Sequence, residues 1–444
     1  MEKKVIHFPA TAVKVLKPKT FFPGFLIFLM LFVSAPILKG QSLLHQYIDS
    51  ARANNPGIIQ LKKQISIMEM EKKSIRAAYQ APKGYLSSEV DLTPYFNNNG
   101  VLFTNNPSPN AIGYDVAVTN GGLYSALMNV DVPVFVKKTT ANAINWQEQQ
   151  IDALRIQLKN SDFGLKQQVT NLYYDALSAQ LAYQTQRESV KLLSNEVNLL
   201  NVLTRKGLYK IVDFELLKTS LSSDSIKLKN QAIAYQMQLM QLKSFCGISD
   251  SSLNELKMES LTLSTPQANT SAFLLPYTND SLTALAENRL FNNRYEPSVT
   301  FYSNAGLNSS VLPGIQHNFG LGVGVRLTYT LFDGKQKQLN KEQSLILINQ
   351  SSELKDLKSK DIQLKRMELL KAIGESRKNI QEQERLKKEY ENLISLYKAE
   401  VQKGQVSITA FLMALRNYND MKLSYGLQEI NLNKLINQYN YWNH

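Results

Sequence analysis

The sequence predicts a mainly α-helical chain with four β-strands, built from two copies of one elongated unit. Three observations predict this class: two very long stretches without proline, two short zones of alternating apolar residues, and a shift of 197 residues that superimposes them. Long proline-free stretches are typical of helices, and strict alternation is typical of strands. The chain has 444 residues, of which 43% are hydrophobic, so it can bury a substantial core.

The formal charge of +13 at first suggests an anionic partner such as nucleic acid. The first forty residues hold six Lys and one Glu, so the remaining chain carries +8, spread along helices without a nucleic-acid-binding module. One Cys allows no internal disulfide or zinc cluster, and the four His are scattered. We therefore expect no nucleic-acid partner, no metal, no cofactor and no catalytic site.

Residues 1–40 are typical of a secretory signal peptide, with a basic start, an apolar middle and small residues at the end. Cleavage is predicted before Gln41, with cleavage after Ala35 as the alternative. An uncleaved membrane anchor is the competing interpretation. It is disfavoured because Pro23 and Pro36 interrupt a stretch that is already short for a span.

Each predicted unit contains an entry helix, a strand pair, a very long helix and a shorter returning helix. In the first unit (41–247) these are the entry helix 43–80 with a break at Asn55-Pro56, strand pair 85–135, long helix 139–205 and return helix 214–245. A polar linker, 248–276, is predicted to form part of a belt. In the second unit (277–444) they are a short helix from about Asn279 to before Pro297, strand pair 298–332, long helix 335–403 and return helix 409–442.

The last strand has the clearest pattern, because apolar side chains fill every second position of 319–332 opposite glycine, threonine and Arg326. This is typical of a transmembrane barrel strand, with lipid on one side and a lumen on the other. A sandwich strand would alternate in the same way. The predicted lipid-facing residues are Leu321, Val323, Val325, Leu327 and Tyr329.

A glycine ends each long helix at an equivalent place, since Gly207 follows Phe135 by the same distance as Gly404 follows Phe332. Glycine readily adopts the left-handed conformation that terminates helices. Asp213 is expected to cap the helix that follows the first turn.

Four strands cannot close a membrane barrel, and an open sheet in lipid would leave backbone groups unpaired. Cyclic association of several copies removes this difficulty, and three copies would supply twelve strands and twelve helical rods.

The arrangement resembles the TolC family of outer-membrane efflux proteins over 42–442. The matching features are Asn54-Asn55-Pro56, the two strand pairs, the two long helices and the duplicated turns 206–213 and 403–410. The resemblance implies a homotrimer in the outer membrane, with a shared 12-stranded β-barrel in lipid and a periplasmic α-helical extension. It also implies a passive duct that works with a periplasmic adaptor and an inner-membrane transporter. The start of the chain, through Gln41-Ser42-Leu43, resembles secreted proteins of the Bacteroidetes type.

The resemblance also suggests site residues at the periplasmic end. The tip turns that would contact the adaptor contain Gly207, Ile211, Asp213, Gly404, Ile408 and Thr409. The pore gate would include Ala410, Met413 and Arg416, where relatives often place carboxylates, so we expect a hydrophobic or basic gate instead. The alternative for the whole chain is a periplasmic coiled-coil scaffold or adaptor without a membrane barrel.

Overall fold

The computed structural model describes residues 42–97, 99–101, 104, 106–116, 118–250, 252, 255–265 and 271–444. The predicted signal peptide lies outside the described residues. Among the described residues, every helix is too short or too polar to cross a membrane.

Two unbroken helices run the length of the molecule: α3 spans Lys137–Arg205 and α6 spans Gln336–Lys403. At 1.5 Å per residue, each is about 100 Å long. Both are free of proline, so no backbone hydrogen bond is lost along them. A helix of this length is stable only against other helices along its whole course.

The shorter helices form two further rods beside α3 and α6, one in each unit. In the first unit, α1 (Leu43–Asn54) and α2 (Pro56–Gln80) are followed after α3 by α4 (Ile211–Phe245). Pro56 occupies the first turn of α2, where its missing N–H costs nothing. In the second unit, α5 spans Leu275–Asn292 and α7 spans Ile408–Trp442. Helix α5 is shorter than α2, but it begins at Leu275 and not near Asn279, because Pro276 fits its first turn.

The rods pack side by side into a wall. Helix α3 packs against α4 and α7 over one part of its length and against α2 and α5 over the other. Helix α6 packs against α7 and α5. The lateral edges of the wall are therefore α2 with α4 on one side and α6 on the other.

The linker crosses the middle of the wall as an extended segment whose backbone is bonded by side chains. Tyr173 donates to the carbonyl of Lys257 at 2.7 Å and accepts from its N–H at 3.2 Å. Gln180 bonds both backbone groups of Leu256 in the same way, at 2.9 and 2.7 Å. Backbone groups that are covered outside a sheet need such partners, because unpaired ones are costly. The linker 255–265 thus lies against the helices as a belt.

The four strands form one antiparallel sheet in the order β1-β2-β3-β4. Strand β1 spans Lys83–Leu92, β2 Gly122–Val134, β3 Ser298–Ser309 and β4 Phe319–Thr328. Among the residues that the structure describes, both outer strands, β1 and β4, pair on one side only. Since β1 follows α2 and β4 precedes α6, the two open edges of the sheet continue the two edges of the wall.

Candidate functional site: the two-faced sheet and the helix tip

One face of the sheet is apolar from edge to edge. Residues directly opposite in antiparallel strands share a face, so the pairs Leu86↔Met128, Val132↔Phe301 and Phe301↔Val325 place these side chains together. The most exposed members reach 83% for Leu86 and 85% for Val323. A soluble protein rarely leaves such a continuous apolar face uncovered.

The opposite face is polar and explains the glycines of β4. A Cβ on Gly322 would lie 2.5 Å from the Asn304 side chain, and one on Gly324 would lie 2.4 Å from the Tyr302 ring. The missing side chains therefore leave room for polar groups of β3 to lie across β4. The Arg326 guanidinium stands 5.2 Å from the centre of the Tyr302 ring, a cation–π distance.

Four of the five predicted lipid-facing residues lie on the apolar face of β4: Leu321, Val323, Val325 and Leu327. Tyr329 does not belong to the strand, so that part of the prediction is wrong. The ladder ends at the pair Ser298↔Thr328, and the next residue on β3 would be Pro297, which has no N–H to donate. Tyr329 is exposed just beyond the sheet.

At the other end of the wall, the two helix-ending turns have the same geometry. Gly207 has φ 77° and Gly404 has φ 73°, both left-handed. The N–H of Leu208 donates to Leu203 and that of Gln405 donates to Glu400, each at 3.0 Å. These repeat-equivalent bonds satisfy carbonyls that the helix end would otherwise leave free.

The two turns also contact each other. The Tyr209 hydroxyl lies 3.1 Å from two carbonyl oxygens, that of Val401 in the last turn of α6 and that of Val406 in the second turn. Val406 is the repeat equivalent of Tyr209, so the turns meet at matching positions. The sequence offered no signal for this bond, because it depends on how α3 and α6 are aligned.

The two helices that follow the turns, α4 and α7, each begin with one half of the same capping motif. In the first unit, the Asp213 carboxylate accepts from the N–H of Lys210 at 3.3 Å. In the second unit, the Ser407 hydroxyl accepts from the N–H of Ala410 at 3.2 Å. A full capping box contains both bonds at one helix start. Ala410 can therefore replace a carboxylate without leaving α7 uncapped.

The predicted adaptor-contact residues differ in exposure. Ile211 is 63% exposed, next to the exposed Leu208 and Val212. Gly207 and Thr409 are also exposed, and Gly404 and Asp213 are partly exposed. Ile408 was expected at this surface but is fully buried, because it packs in the core cluster of the tip with Phe411. The available surface is therefore formed mainly by the first turn.

The predicted gate residues lie on the first turns of α7. Met413 is 61% exposed, Arg416 is exposed and Ala410 is half-buried. Among the described residues, the ion pairs of α7 are Lys422–Glu188 and Lys434–Asp175, so Arg416 keeps an unpaired charge. The structure shows no carboxylate at these three positions.

A polar seam joins the two units just above the tip, and sequence reasoning missed it. The Asn419 amide donates to the hydroxyl of Ser189 at 2.8 Å, and Lys422 pairs with Glu188. Burial raises the pKa of Glu196, against the opposing effect of Lys398. Within the described part of the chain, one oxygen of Glu196 is buried without a hydrogen-bond partner. A carboxyl group placed in this way holds a proton more readily than an exposed one.

No group of three or more His, Cys, Asp or Glu side chains in the described part of the chain is arranged to hold a metal ion. The one cysteine, Cys246, is buried, and burial raises the pKa of its thiol to about 11. A thiol in this state is a poor nucleophile and metal ligand.

The fold is similar to that of solved outer-membrane channels. The Campylobacter jejuni CmeC outer membrane channel matches with a TM-score of 0.67 at 11% identity, over 90% of this chain and 85% of that one. The Vibrio cholerae outer membrane protein VceC matches with 0.65 at 12% identity, over 89% and 96%. The open state of the Neisseria gonorrhoeae MtrE outer membrane channel matches with 0.62 at 13% identity, over 90% and 88%.

These structures are TolC-family channels, and this chain has their fold: a mainly helical wall with a four-stranded antiparallel sheet. No protein-family model matches the sequence, and no curated protein is similar to it in sequence. The predicted Bacteroidetes origin stays a prediction.

Proposed function

We propose that three copies of this chain close into a duct that crosses the outer membrane and extends into the periplasm. The observation that carries this proposal is the sheet, which combines a continuous apolar face with two unpaired edges. In lipid the apolar face is covered, while the unpaired edges need partners. Pairing β4 of one copy with β1 of the next gives each unpaired edge a partner strand. Three copies then form a closed barrel of twelve strands.

The helical wall supports the same closure. Its two edges carry exposed apolar residues that no part of the chain described by the structure covers. On one edge these include Ile67, Met70, Ile226, Ile233 and Met237; on the other they include Leu339, Ile346, Leu357, Leu364 and Met367. Because the edges of the wall continue the edges of the sheet, one rotation between copies would bury both sets. A contact between two different surfaces that closes on itself produces a ring.

The duct would be passive and would not act as an enzyme. The tip surface around Leu208, Ile211 and Val212 supports docking of a periplasmic adaptor, which would link the duct to an inner-membrane transporter that supplies the energy. Solved structures with this fold include proteins described as outer membrane channels. Efflux is the function that we propose for this chain. Secretion of proteins through the same duct is the alternative to efflux.

The gate at the tip would lack fixed acidic groups. Ala410, Met413 and Arg416 give it an apolar or basic character, so the pore should show a weaker preference for cations than a channel gated by carboxylates. Strong cation selectivity with block by divalent cations would contradict this assignment.

The test is to purify the full chain from outer membranes, measure its oligomeric mass and record single-channel currents in planar bilayers. We expect a trimer, resistance of the membrane-bound protein to carbonate or urea washes, and stable conductance. A protein recovered in the soluble periplasm without channel activity would refute the duct and favour the scaffold. Deletion of the gene, with assays of dye, bile-salt and metal sensitivity and of secreted proteins, would identify the cargo class.

A further inference from the structure

Two repeat-equivalent junctions, where a strand passes into a long helix, expose phenylalanine beside lysine. Phe135 follows β2 and is 86% exposed, and Phe332 follows β4 and is 90% exposed. Lys137 and Lys138 follow the first, and Lys335 and Lys337 follow the second. We call these six residues the junction collar. All four lysines are exposed.

The backbone at the first junction points to a role for the Phe135 side chain. Phe135 has φ 56°, a left-handed conformation that bulky residues rarely adopt and that glycine adopts freely. The second junction has a different turn, with two consecutive left-handed residues, and a glycine, Gly334 at φ 62°, takes the first of these positions before Lys335 at φ 70°. A glycine at 135 would relieve the strain. A strained and exposed phenylalanine therefore indicates that its ring is needed outside the protein.

The charges at the collar are only partly neutralised within the chain. Lys138 pairs with Glu296 at 2.6 Å. The Asp333 carboxylate is used by the start of α6, where it accepts from the N–H groups of Lys335 and Lys337 at 2.9 and 2.8 Å. Among the described residues, the ammonium group of Lys137 has no carboxylate partner, nor has that of Lys335. An excess of positive charge remains at the level where the apolar sheet ends.

We propose that the junction collar binds anionic phospholipid headgroups, with the two phenylalanine rings inserted among the upper parts of the acyl chains. This inference rests on the proposed function and deepens it, because it names the lipid that the helix-side end of the barrel recognises. Phe135 directly follows β2 and Phe332 lies four residues beyond β4, so lipid that covers the apolar face of the sheet ends close to the collar. Aromatic rings favour the interface between acyl chains and headgroups, and basic residues beside it attract anionic lipid.

The test uses the full chain in nanodiscs of phosphatidylcholine alone or of an equimolar mixture with phosphatidylglycerol. We expect phosphatidylglycerol to raise the midpoint of thermal unfolding by a few degrees at low salt, and this rise should shrink at high salt. The double variant Lys137→Gln, Lys335→Gln should lose most of the rise while keeping the midpoint in phosphatidylcholine. The matched control, Lys360→Gln with Lys371→Gln on the exposed middle of α6, should keep it.

The variant Phe135→Gly distinguishes a phenylalanine ring that contacts lipid from one that only strains the turn. The change relieves the left-handed backbone, so a ring without a lipid contact would give a higher midpoint in both kinds of disc. We expect a lower midpoint in both, because the ring loses its contact with lipid. Equal wild-type midpoints with and without phosphatidylglycerol, in discs that contain an inserted conducting trimer, would overturn this inference alone. Failure of the wild type to insert into either disc would refute the proposed function and this inference with it.

Discussion

Replacing Ala410 with aspartate should complete the capping box at the start of α7. The second unit has the serine half of the motif, with Ser407 accepting from the N–H of residue 410. The first unit has the carboxylate half, with Asp213 accepting from the N–H of Lys210. Residue 410 is the repeat equivalent of Asp213, and both positions are half-buried. An aspartate at 410 should therefore reach the N–H of Ser407 in the same way.

The expected gain follows from the geometry of the first unit. A capping bond is worth about 0.5–2 kcal/mol, and a carboxylate in the first turn gains about 0.3–1 kcal/mol from the helix dipole. The Asp213 bond is long, at 3.3 Å, and partly exposed to water, so the lower part of this range applies. We expect Ala410→Asp to stabilise the first turn of α7 by about 1 kcal/mol, or a factor of about five in local opening.

Hydrogen exchange of the amides at 408–412 measures this directly in the purified full chain. Exchange should slow about fivefold in Ala410→Asp and much less in Ala410→Asn, which keeps the shape without the charge. In bilayers, the same aspartate should raise the preference of the pore for cations. Exchange that is unchanged or faster in the aspartate variant would refute the split capping box. Unchanged ion selectivity would show that residue 410 does not face the pore.

Three further predictions concern the turn, the sheet and the belt. Gly207→Ala should destabilise the tip by about 1 kcal/mol, because φ 77° is strained for alanine. Gly374→Ala, inside α6, should instead stabilise that helix slightly. Hydrogen exchange of the amides near each site measures both effects. Val323→Lys on the apolar face should cost about 2–4 kcal/mol of membrane stability, whereas Asn304→Lys on the polar face should be tolerated, as judged by the yield of trimer. Burial raises the pKa of Tyr173 to about 12 from 10.0, so its contribution to stability should be complete below pH 10 and be lost as the pH rises towards 12. The measurement is tyrosinate absorbance and unfolding of the same samples over this pH range. Loosening of the belt before the tyrosine ionises would contradict the prediction.

Much of the fold follows from local signals in the sequence. Alternation along β4, the proline-free stretches of α3 and α6, and the equal spacing to Gly207 and Gly404 depend on side chains close together in the chain. Local backbone preferences act on those residues in any context, so the pattern is visible in one sequence. The departure at Ala410 was visible for the same reason.

The errors occurred where a partner strand or a packed neighbour decides the outcome. Tyr329 continues the apolar alternation, but its strand ends at Thr328 because Pro297, just before β3, has no N–H to donate. Ile408 belongs to the turn motif, yet packing of α7 against the rest of the tip buries it. The start of α5 at Leu275 depends on whether Pro276 ends a loop or opens a helix, and helix packing settles that choice.

The four strands, the long helices and the two glycine turns follow from residue patterns within short segments, and the duplication follows from the repetition of those patterns. The three-dimensional packing was needed to show that the two open sheet edges continue the two edges of the helical wall. It was also needed to show that Tyr209 joins the turns and that Phe135 is exposed at the end of the sheet. These features depend on the registers of β1 to β4 and of α3 against α6, which are fixed by contacts between residues far apart in the chain.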